Sequence, residues 1–410
     1  MKAVIIGAGL GGLLAGAKLA KAGYDVEIFE RLPFIGGRFA NLDYKGFKLS
    51  TGALHMIPHG SRGPLARLLH EVGANVDIEN SNPMAVIRTE DGRDILFRDF
   101  RKILSLPERI KLAYLALVSK IFKPDDNISF SNWAMKYFDN EFLLKLADSF
   151  CGWALSLRAK DVPAGEMLEI IDNLYRYGGP GIPVGGCGAV TGSLADVISS
   201  NGGKINKKTC VDRIIIKEDR AKGIVAGGKT VESDIVISDI GHYETCRMYD
   251  CRDEKYLEKI KKTMPSRGIK ICLSSDEPLI GHSGVFLTPS AQRINGINEV
   301  TNADPSLAPP GKHLVMSHQA VMSDDLEKEI SIGLHDLEKL FPDKKYEVLL
   351  IQSYSKGWPV NRAASGSDIG NTTPVCNLYV VGDGAKGKGG IEVEGVALGV
   401  RNVMREMGIK

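Results

Sequence analysis

The first thirty residues constrain the fold more than any other part of the chain. Lys2 to Ile6 (KAVII) is a short apolar run suited to a strand buried on both faces. Gly7-Ala8-Gly9-Leu10-Gly11-Gly12 follows at once. Leu10, Leu13, Leu14 and Ala17 then recur at helical spacing, so a helix begins inside the glycine run, and Gly23 is placed to stop it. Tyr24 to Glu30 (YDVEIFE) returns as a second strand that ends in an acid. Gly7, Gly9 and Gly12 occupy the three fixed places of a GxGxxG turn: one for the tight turn, one for backbone approach to a pyrophosphate, one for close helix–strand packing. Amides and dipole at the helix start attract phosphate. Glu30 lies 18 residues past Gly12, where its carboxylate can accept hydrogen bonds from a ribose diol and would repel a 2′-phosphate. Dinucleotide binding is the reading that uses all of these residues; a plain glycine-rich turn in a βαβ unit is the alternative.

Length and composition set the outer limits. A chain of 410 residues has room for two to three domains and a sizeable core. Hydrophobic residues at 43% and charged residues at 25% exclude a disordered chain. The 52 basic and 50 acidic side chains nearly cancel, which excludes the global field that grips nucleic acid. Seven scattered cysteines, an odd number, do not make a disulfide framework and fit a reducing compartment. No run of 18 apolar residues occurs, and Lys2 leads directly into a strand rather than an apolar signal region, so the cytoplasm is the expected location.

Beyond Glu30 the chain reads Arg31-Leu32-Pro33-Phe34-Ile35-Gly36-Gly37-Arg38. A second glycine pair and an arginine this soon after the acid are foreign to an NAD fingerprint. Through Gly7, Gly9, Gly12, Glu30, Gly36, Gly37 and Arg38 the sequence resembles the flavin-dependent amine oxidase and phytoene desaturase superfamily. The resemblance implies an α/β fold. Its parts are a Rossmann-like FAD-binding domain of the glutathione-reductase type and a second, α+β substrate domain, both discontinuous. It implies FAD as cofactor, with Ala8, Leu10, Gly11 and Arg31 beside the motif residues. The hairpin-like segment Tyr44 to Gly52 resembles the one that leads to a glycine beside the flavin, so Gly52 and Ala53 join the cofactor set; Ser50-Thr51 replaces the usual aspartate. Pro183-x-Gly185-Gly186-x-Gly188 resembles the segment where the chain re-enters the flavin domain, and Val211 with Ile214 a V-x-x-I element that reaches the adenine. Near the C-terminus, Asn377 to Gly384 (NLYVVGDG) reads as a buried strand entering a turn, where Gly382 and Asp383 would hold the diphosphate and ribityl region. Gly390 to Gly399 opens a last helix whose first amides, around Val393, Gly395 and Val396, would face the flavin.

Expected boundaries follow. Segments 1–75, 185–240 and 346–410 form the FAD-binding domain; 76–184 and 241–345 form the substrate domain. Trp133, Trp153, Phe286 and Met316 are candidates to line an apolar pocket, although most such residues will be core. Arg101 to Lys123 is a basic amphipathic stretch with Glu108 as its only acid. An ordinary helix covering the substrate domain is the favoured reading, and peripheral contact with an anionic membrane the alternative.

Few catalytic side chains are needed where a flavin carries the chemistry. His55 and Lys386 are the candidates, weighed against a structural histidine and a solvated loop charge. Cys246 and Cys251 have a C-x4-C spacing but stand far from the N-terminal unit, which favours ordinary thiols over a redox pair. No metal-ligand cluster is legible. The main expectation is an FAD-dependent oxidoreductase acting on a hydrophobic, isoprenoid-like small molecule by desaturation, saturation or isomerisation. One alternative is an amine oxidase-like enzyme, for which Trp358 is the single nearby cage aromatic. The other is a non-redox prenyl or lipid carrier resembling the Rab GDP-dissociation inhibitors. The oligomeric state is not legible.

Overall fold

The structure is a computed structural model that describes residues 1–124, 127–354 and 361–409. Five parallel strands form one sheet, in the order Leu378–Val380, Ile235–Ser238, Lys2–Ile6, Asp25–Phe29, Lys204–Asn206. The KAVII run lies at its centre, and its unbroken apolarity has a direct cause. Ala3 and Ile5 face one core, under the helices Leu10–Lys21, Cys187–Ser200 and Glu392–Glu406. Val4 and Ile6 face another, under the antiparallel strands Val211–Lys217, Arg220–Ala226 and Lys229–Glu232. A polar residue at any of the four would lose its water without gaining a partner.

The helix Leu10–Lys21 is buried along most of its length between sheet and neighbouring helices. At Gly16 an added Cβ would press on Ile28 at 2.8 Å, so the helix sits on the sheet at glycine distance. It stops as expected: Gly23 is left-handed (φ 84°), and its amide donates to the Ala20 carbonyl.

A second sheet of seven strands runs Glu347–Tyr354, Gly268–Ser275, His313–Ala320, Gly296–Glu299, Val285–Leu287, Ala85–Arg88, Asp94–Leu96. Its neighbours are antiparallel except for Val285–Leu287 beside Ala85–Arg88. Period-2 alternation sorts the strand Gly268–Ser275. Ile269, Ile271 and Leu273 enter the core beneath the helix Leu326–Leu340, whereas Cys272 enters the core shared with the helices Glu141–Leu155 and Ala164–Tyr177. Lys270 lies on the Cys272 side. The strand Glu347–Tyr354 falls after the boundary expected at 346, yet it pairs with Gly268–Ser275, so the chain leaves the larger sheet only beyond Tyr354.

The basic stretch forms a 3-10 segment, Phe97–Ile103, and a helix, Leu106–Ile121. An ordinary covering helix turns its apolar stripe inward. Here Leu115 is the one fully buried residue, while Leu106, Ile110, Tyr114, Leu117 and Ile121 are exposed. Among the described residues no helix is long and apolar enough to cross a membrane. All seven cysteines are free thiols, and Cys246 packs with Tyr256 and Ile260 in a small cluster that Cys251 borders.

Candidate cofactor cleft and active site

The two ends of the chain meet at the carboxyl ends of the parallel strands, where ligands of open α/β sheets bind. Gly7 carries φ 94°, a turn closed to a β-substituted residue without strain, and its amide donates to the Phe29 carbonyl at 2.8 Å. A Cβ on Gly11 would lie 2.7 Å from the Gly382 amide, and one on Gly12 would collide with the Gly7 carbonyl. Gly36 and Gly37 complete the ring: the Gly36 amide donates to the Ala8 carbonyl at 2.7 Å, and Gly37 lies against the Gly9 backbone. The helix that starts at Leu10 has no side-chain cap from its own N-cap residue, Gly9, and its first turn faces the Asp239 carboxylate.

Glu30 is buried and bridges this turn to the next segment, accepting from the amides of Ala8 and Leu32 at 2.8 Å each. Its backbone pairs with Asn206 and Thr209, which sets Val211 just beyond. Arg31 is exposed at this edge. Gly52 lies against the Arg38 backbone, while the Thr51 hydroxyl, which stands at the usual aspartate position, donates to the Gly37 carbonyl at 3.0 Å.

Asp383 accepts from two cations, Arg38 on one oxygen and Lys386 on the other, the latter at 2.7 Å. Burial pushes the Lys386 ammonium down to about 8; Glu392 opposes the fall, and Arg38 and Arg362 add to it. Glu392 opens the last helix with φ 46°, a strained conformation for glutamate, and burial raises its carboxyl. The loop between Asp383 and Glu392 is held from outside. Glu166 pairs with Arg362 and accepts from the Gly389 amide at 3.0 Å, and Asn173 donates to the Gly389 carbonyl at 2.7 Å. Val393 and Val396 point into the core, so these two positions offer a cofactor only their backbone; Gly395 packs on the Lys386 side chain.

Four polar residues of this region carry no sequence signal of their own. Asp239 follows the strand Ile235–Ser238, and its carboxylate lies against Gly9, Gly11 and Gly382. Its Oδ2 is closed off from solvent without a hydrogen-bond partner. Burial, with an added push from Glu30, raises this carboxyl to about 7 against the pull of the Gly12 amide and Arg38. The rule that sites lie beyond parallel strand ends would have found it, because Asp239 and Asp383 both follow strands of that sheet.

Lys270 is 1% exposed and donates to the Ser50 carbonyl (2.6 Å), the Ser50 hydroxyl (2.9 Å) and the Gly52 carbonyl (2.6 Å). Desolvation lowers its affinity for the proton. His318 stands beside it across the strand pair. The His318 Nδ1–H donates to the Gly152 carbonyl at 3.1 Å, which leaves Nε2 to accept from the Tyr354 hydroxyl. Ser156, itself left-handed at φ 54°, donates to the Tyr354 oxygen at 2.7 Å. Arg38 and Glu392 lie within electrostatic reach of Tyr354. Arg38 and Glu392 from one lobe thus face Tyr354 from the other, and Lys270 reaches the Ser50–Gly52 turn that lies against the Arg38 backbone.

His55, a catalytic candidate weighed against a structural histidine, takes the structural role. It is wholly buried, its Nε2–H donates to the Lys48 carbonyl at 2.8 Å, and its Nδ1 accepts from the Cys187 amide at 3.0 Å. Desolvation holds it neutral, with a pKa of about 4. Both nitrogens are committed, so no atom remains to move a proton. Of the apolar candidates, Trp153, Phe286 and Met316 are core residues, and Trp133 borders a surface groove instead. Trp358 lies outside the described residues.

The residues present fit FAD: Gly9, Gly11 and Gly12 bring backbone amides close together without side chains between them, Arg38 and Lys386 supply cations, and Asp239, pushed up to about 7 with its Oδ2 unpartnered, can be neutral beside a diphosphate. Fold and site define a flavin-containing oxidoreductase built on a Rossmann-like dinucleotide domain. The family model for flavin-containing amine oxidoreductases matches residues 10–400, and the chain belongs to that family, with FAD as its cofactor. An uncharacterized protein of Methanocaldococcus jannaschii is 48% identical over 98% of both chains. A chloroplastic prolycopene isomerase of an Oncidium hybrid is 24% identical over 93% of this chain and 79% of its own. Among solved structures, an oxidoreductase of Methanosarcina mazei superposes with TM-score 0.95 and 54% identity over 99% of this chain and 100% of its own. A redesigned putrescine oxidase superposes with TM-score 0.76 at 17% identity, covering 99% of this chain and 98% of its own, which shows the shared fold.

Proposed function

We propose that this flavoprotein moves a hydride to or from a carbon–carbon bond of a long apolar substrate of isoprenoid type. The observation that carries the reading is the charge where the lobes meet. Arg38 and Lys386 are balanced by Asp383 and Glu392, and Lys270 is held by uncharged acceptors, so this wall has no surplus carboxylate to bind a substrate ammonium and places no such demand on a hydrocarbon. Likeness to a prolycopene isomerase over nearly the whole chain supports a polyene substrate.

FAD, when bound, supplies the hydride acceptor or donor. The chain supplies the rest. The glycine turn and the start of its helix hold the diphosphate. Lys386 and Arg38 keep Asp383 in place, and their charge would offset negative charge on a bound flavin within their reach. Lys270 is a buried ammonium fixed by three acceptors, able to hold or release a proton without reorganising. Tyr354, its hydroxyl aimed by His318 and Ser156, is the second proton-holding group at the cleft.

The test is anaerobic mixing of the holoprotein with acyclic polyenes and, separately, with putrescine, followed by the flavin absorption band and product analysis. Bleaching or product formation with polyenes alone supports the reading. Turnover of the amine, or a protein that stays colourless after incubation with FAD, overturns it in favour of the amine oxidase or carrier alternative.

A further inference from the structure

The outward face of the helix Leu106–Ile121 carries five exposed large apolar side chains. Of seventeen large apolar side chains left exposed among the described residues, nine fall between Ile103 and Tyr137. On a wheel of 100° per residue, Leu106, Ile110, Tyr114, Leu117 and Ile121 occupy one sector about 80° wide, opposite the buried Leu115. The stripe is not a groove edge or a frayed end. A capping box made by Ser105 and Glu108 starts this helix, and Glu108 also accepts from Asn140 at 2.6 Å. Exposed cations stand on both sides: Arg109 and Lys120 along one margin, Lys111 along the other. The single acid of the helix, Glu108, is committed to the cap on the protein side. Beside the helix lies a groove of about 520 Å³ of mixed polarity, lined by Val118, Phe122, Trp133 and Tyr137 together with Asn132 and Lys136.

We infer that this helix docks the protein onto an anionic phospholipid bilayer, lying in the interface with its stripe among the acyl chains and its cations on the headgroups. An apolar strip bordered by basic residues on both margins matches that surface in polarity and in charge. At sixteen residues, about 24 Å, the helix is too short to cross the hydrocarbon layer and long enough to lie along it. A second copy of this chain fits the face less well, since two-fold pairing of like strips would bring the three cations of each helix against their own kind. The inference stands apart from the substrate reading, because its readout is vesicle binding rather than turnover.

The experiment is flotation of the yellow holoprotein with phosphatidylcholine vesicles and with vesicles containing 30% phosphatidylglycerol, alongside light scattering of the free protein. Wild type floats with the anionic vesicles and stays behind with the neutral ones. Ile110→Ser with Leu117→Ser abolishes flotation. Arg109→Gln, Lys111→Gln and Lys120→Gln together weaken it about a hundredfold, at roughly fivefold per charge. All variants keep the flavin absorption of wild type; the melting temperature is unchanged in Ile110→Ser with Leu117→Ser and falls slightly in the triple variant, because Arg109 also donates to the Leu104 and Lys102 carbonyls. Wild type that does not float, or variants that float equally well, overturn the inference. So does a dimer in solution that Ile110→Ser with Leu117→Ser dissociates, which would assign the strip to a copy interface.

Discussion

Asp239 and Lys386, one raised to about 7 and the other lowered to about 8, should push FAD affinity the same way as pH rises. Below about pH 7 the Asp239 carboxyl is neutral and tolerates a diphosphate beside it; above, it ionises and repels. Near pH 8 the Lys386 ammonium begins to lose its proton, and its hold on Asp383 weakens. Both effects predict weaker FAD binding as pH rises from 7 to 9, by up to about tenfold per unit for each group. Equilibrium titration of the apoprotein by flavin fluorescence checks this. Asp239→Asn should abolish the fall that begins near 7, and Lys386→Arg the one that begins near 8. Lys270 poses a separate question, since it touches the Ser50–Gly52 turn rather than the glycine cradle. Lys270→Met keeps the volume and removes the proton. It should lower turnover by about a hundredfold or more while FAD content and affinity stay at wild-type values. Loss of both together would mark Lys270 as structural support only.

The last helix shows how an element becomes part of a site through a partner remote in sequence. Glu394, fully buried, accepts from the amides of Leu65 at 2.7 Å and His59 at 3.1 Å, and so caps the helix Pro64–Val72 from the other end of the chain. Burial holds its carboxyl up at about 7. Because its folded pKa lies above the unfolded one, this group's contribution is complete below about pH 4 and is lost as pH rises through 7. Glu394→Ala orphans two buried amides and should cost about 2–3 kcal/mol in urea denaturation, with Glu394→Gln recovering part of it. The Glu166–Arg362 pair does similar work for the loop that carries Lys386. Removing Glu166 leaves a buried guanidinium with Asp368 as its remaining carboxylate partner, so Glu166→Ala should destabilise by about 3 kcal/mol or more. It should also loosen FAD binding, whereas Glu394→Ala, acting farther from that loop, should not.

At the scale of the whole molecule the cofactor is a structural tie. Gly7 to Gly12, Gly36 to Arg38 and Gly382 to Asp383 come from three separate stretches, and each is incomplete without the others. A ligand bound by the folded state alone stabilises by mass action, about 2.7 kcal/mol at a hundred times its dissociation constant. The holoprotein should therefore melt well above the apoprotein, with the gap growing as free FAD is raised. Gly11→Val, whose side chain would meet the Gly382 backbone, should abolish the gap and also lower the melting temperature of the apoprotein itself. An equal gap in wild type and variant would mean that the two ends of the chain do not share one ligand.

The sequence by itself determined the parallel sheet, the glycine turn, the flavin and the meeting of both termini, because each is written in a local pattern: an apolar strand, fixed glycine spacings, a strand ending in Gly-Asp. It also placed Arg38, Asp383 and Lys386, since these sit within a few residues of such patterns. Only the tertiary structure decided the opposite wall. Lys270, His318 and Tyr354 look like ordinary members of strands until pairing register sets them side by side, and register depends on partners up to 86 residues apart. The same holds for His55 and for the helix Leu106–Ile121. Whether a ring nitrogen is committed, or an apolar stripe faces inward or out, is a property of what packs against it, and a one-dimensional pattern contains no such neighbour.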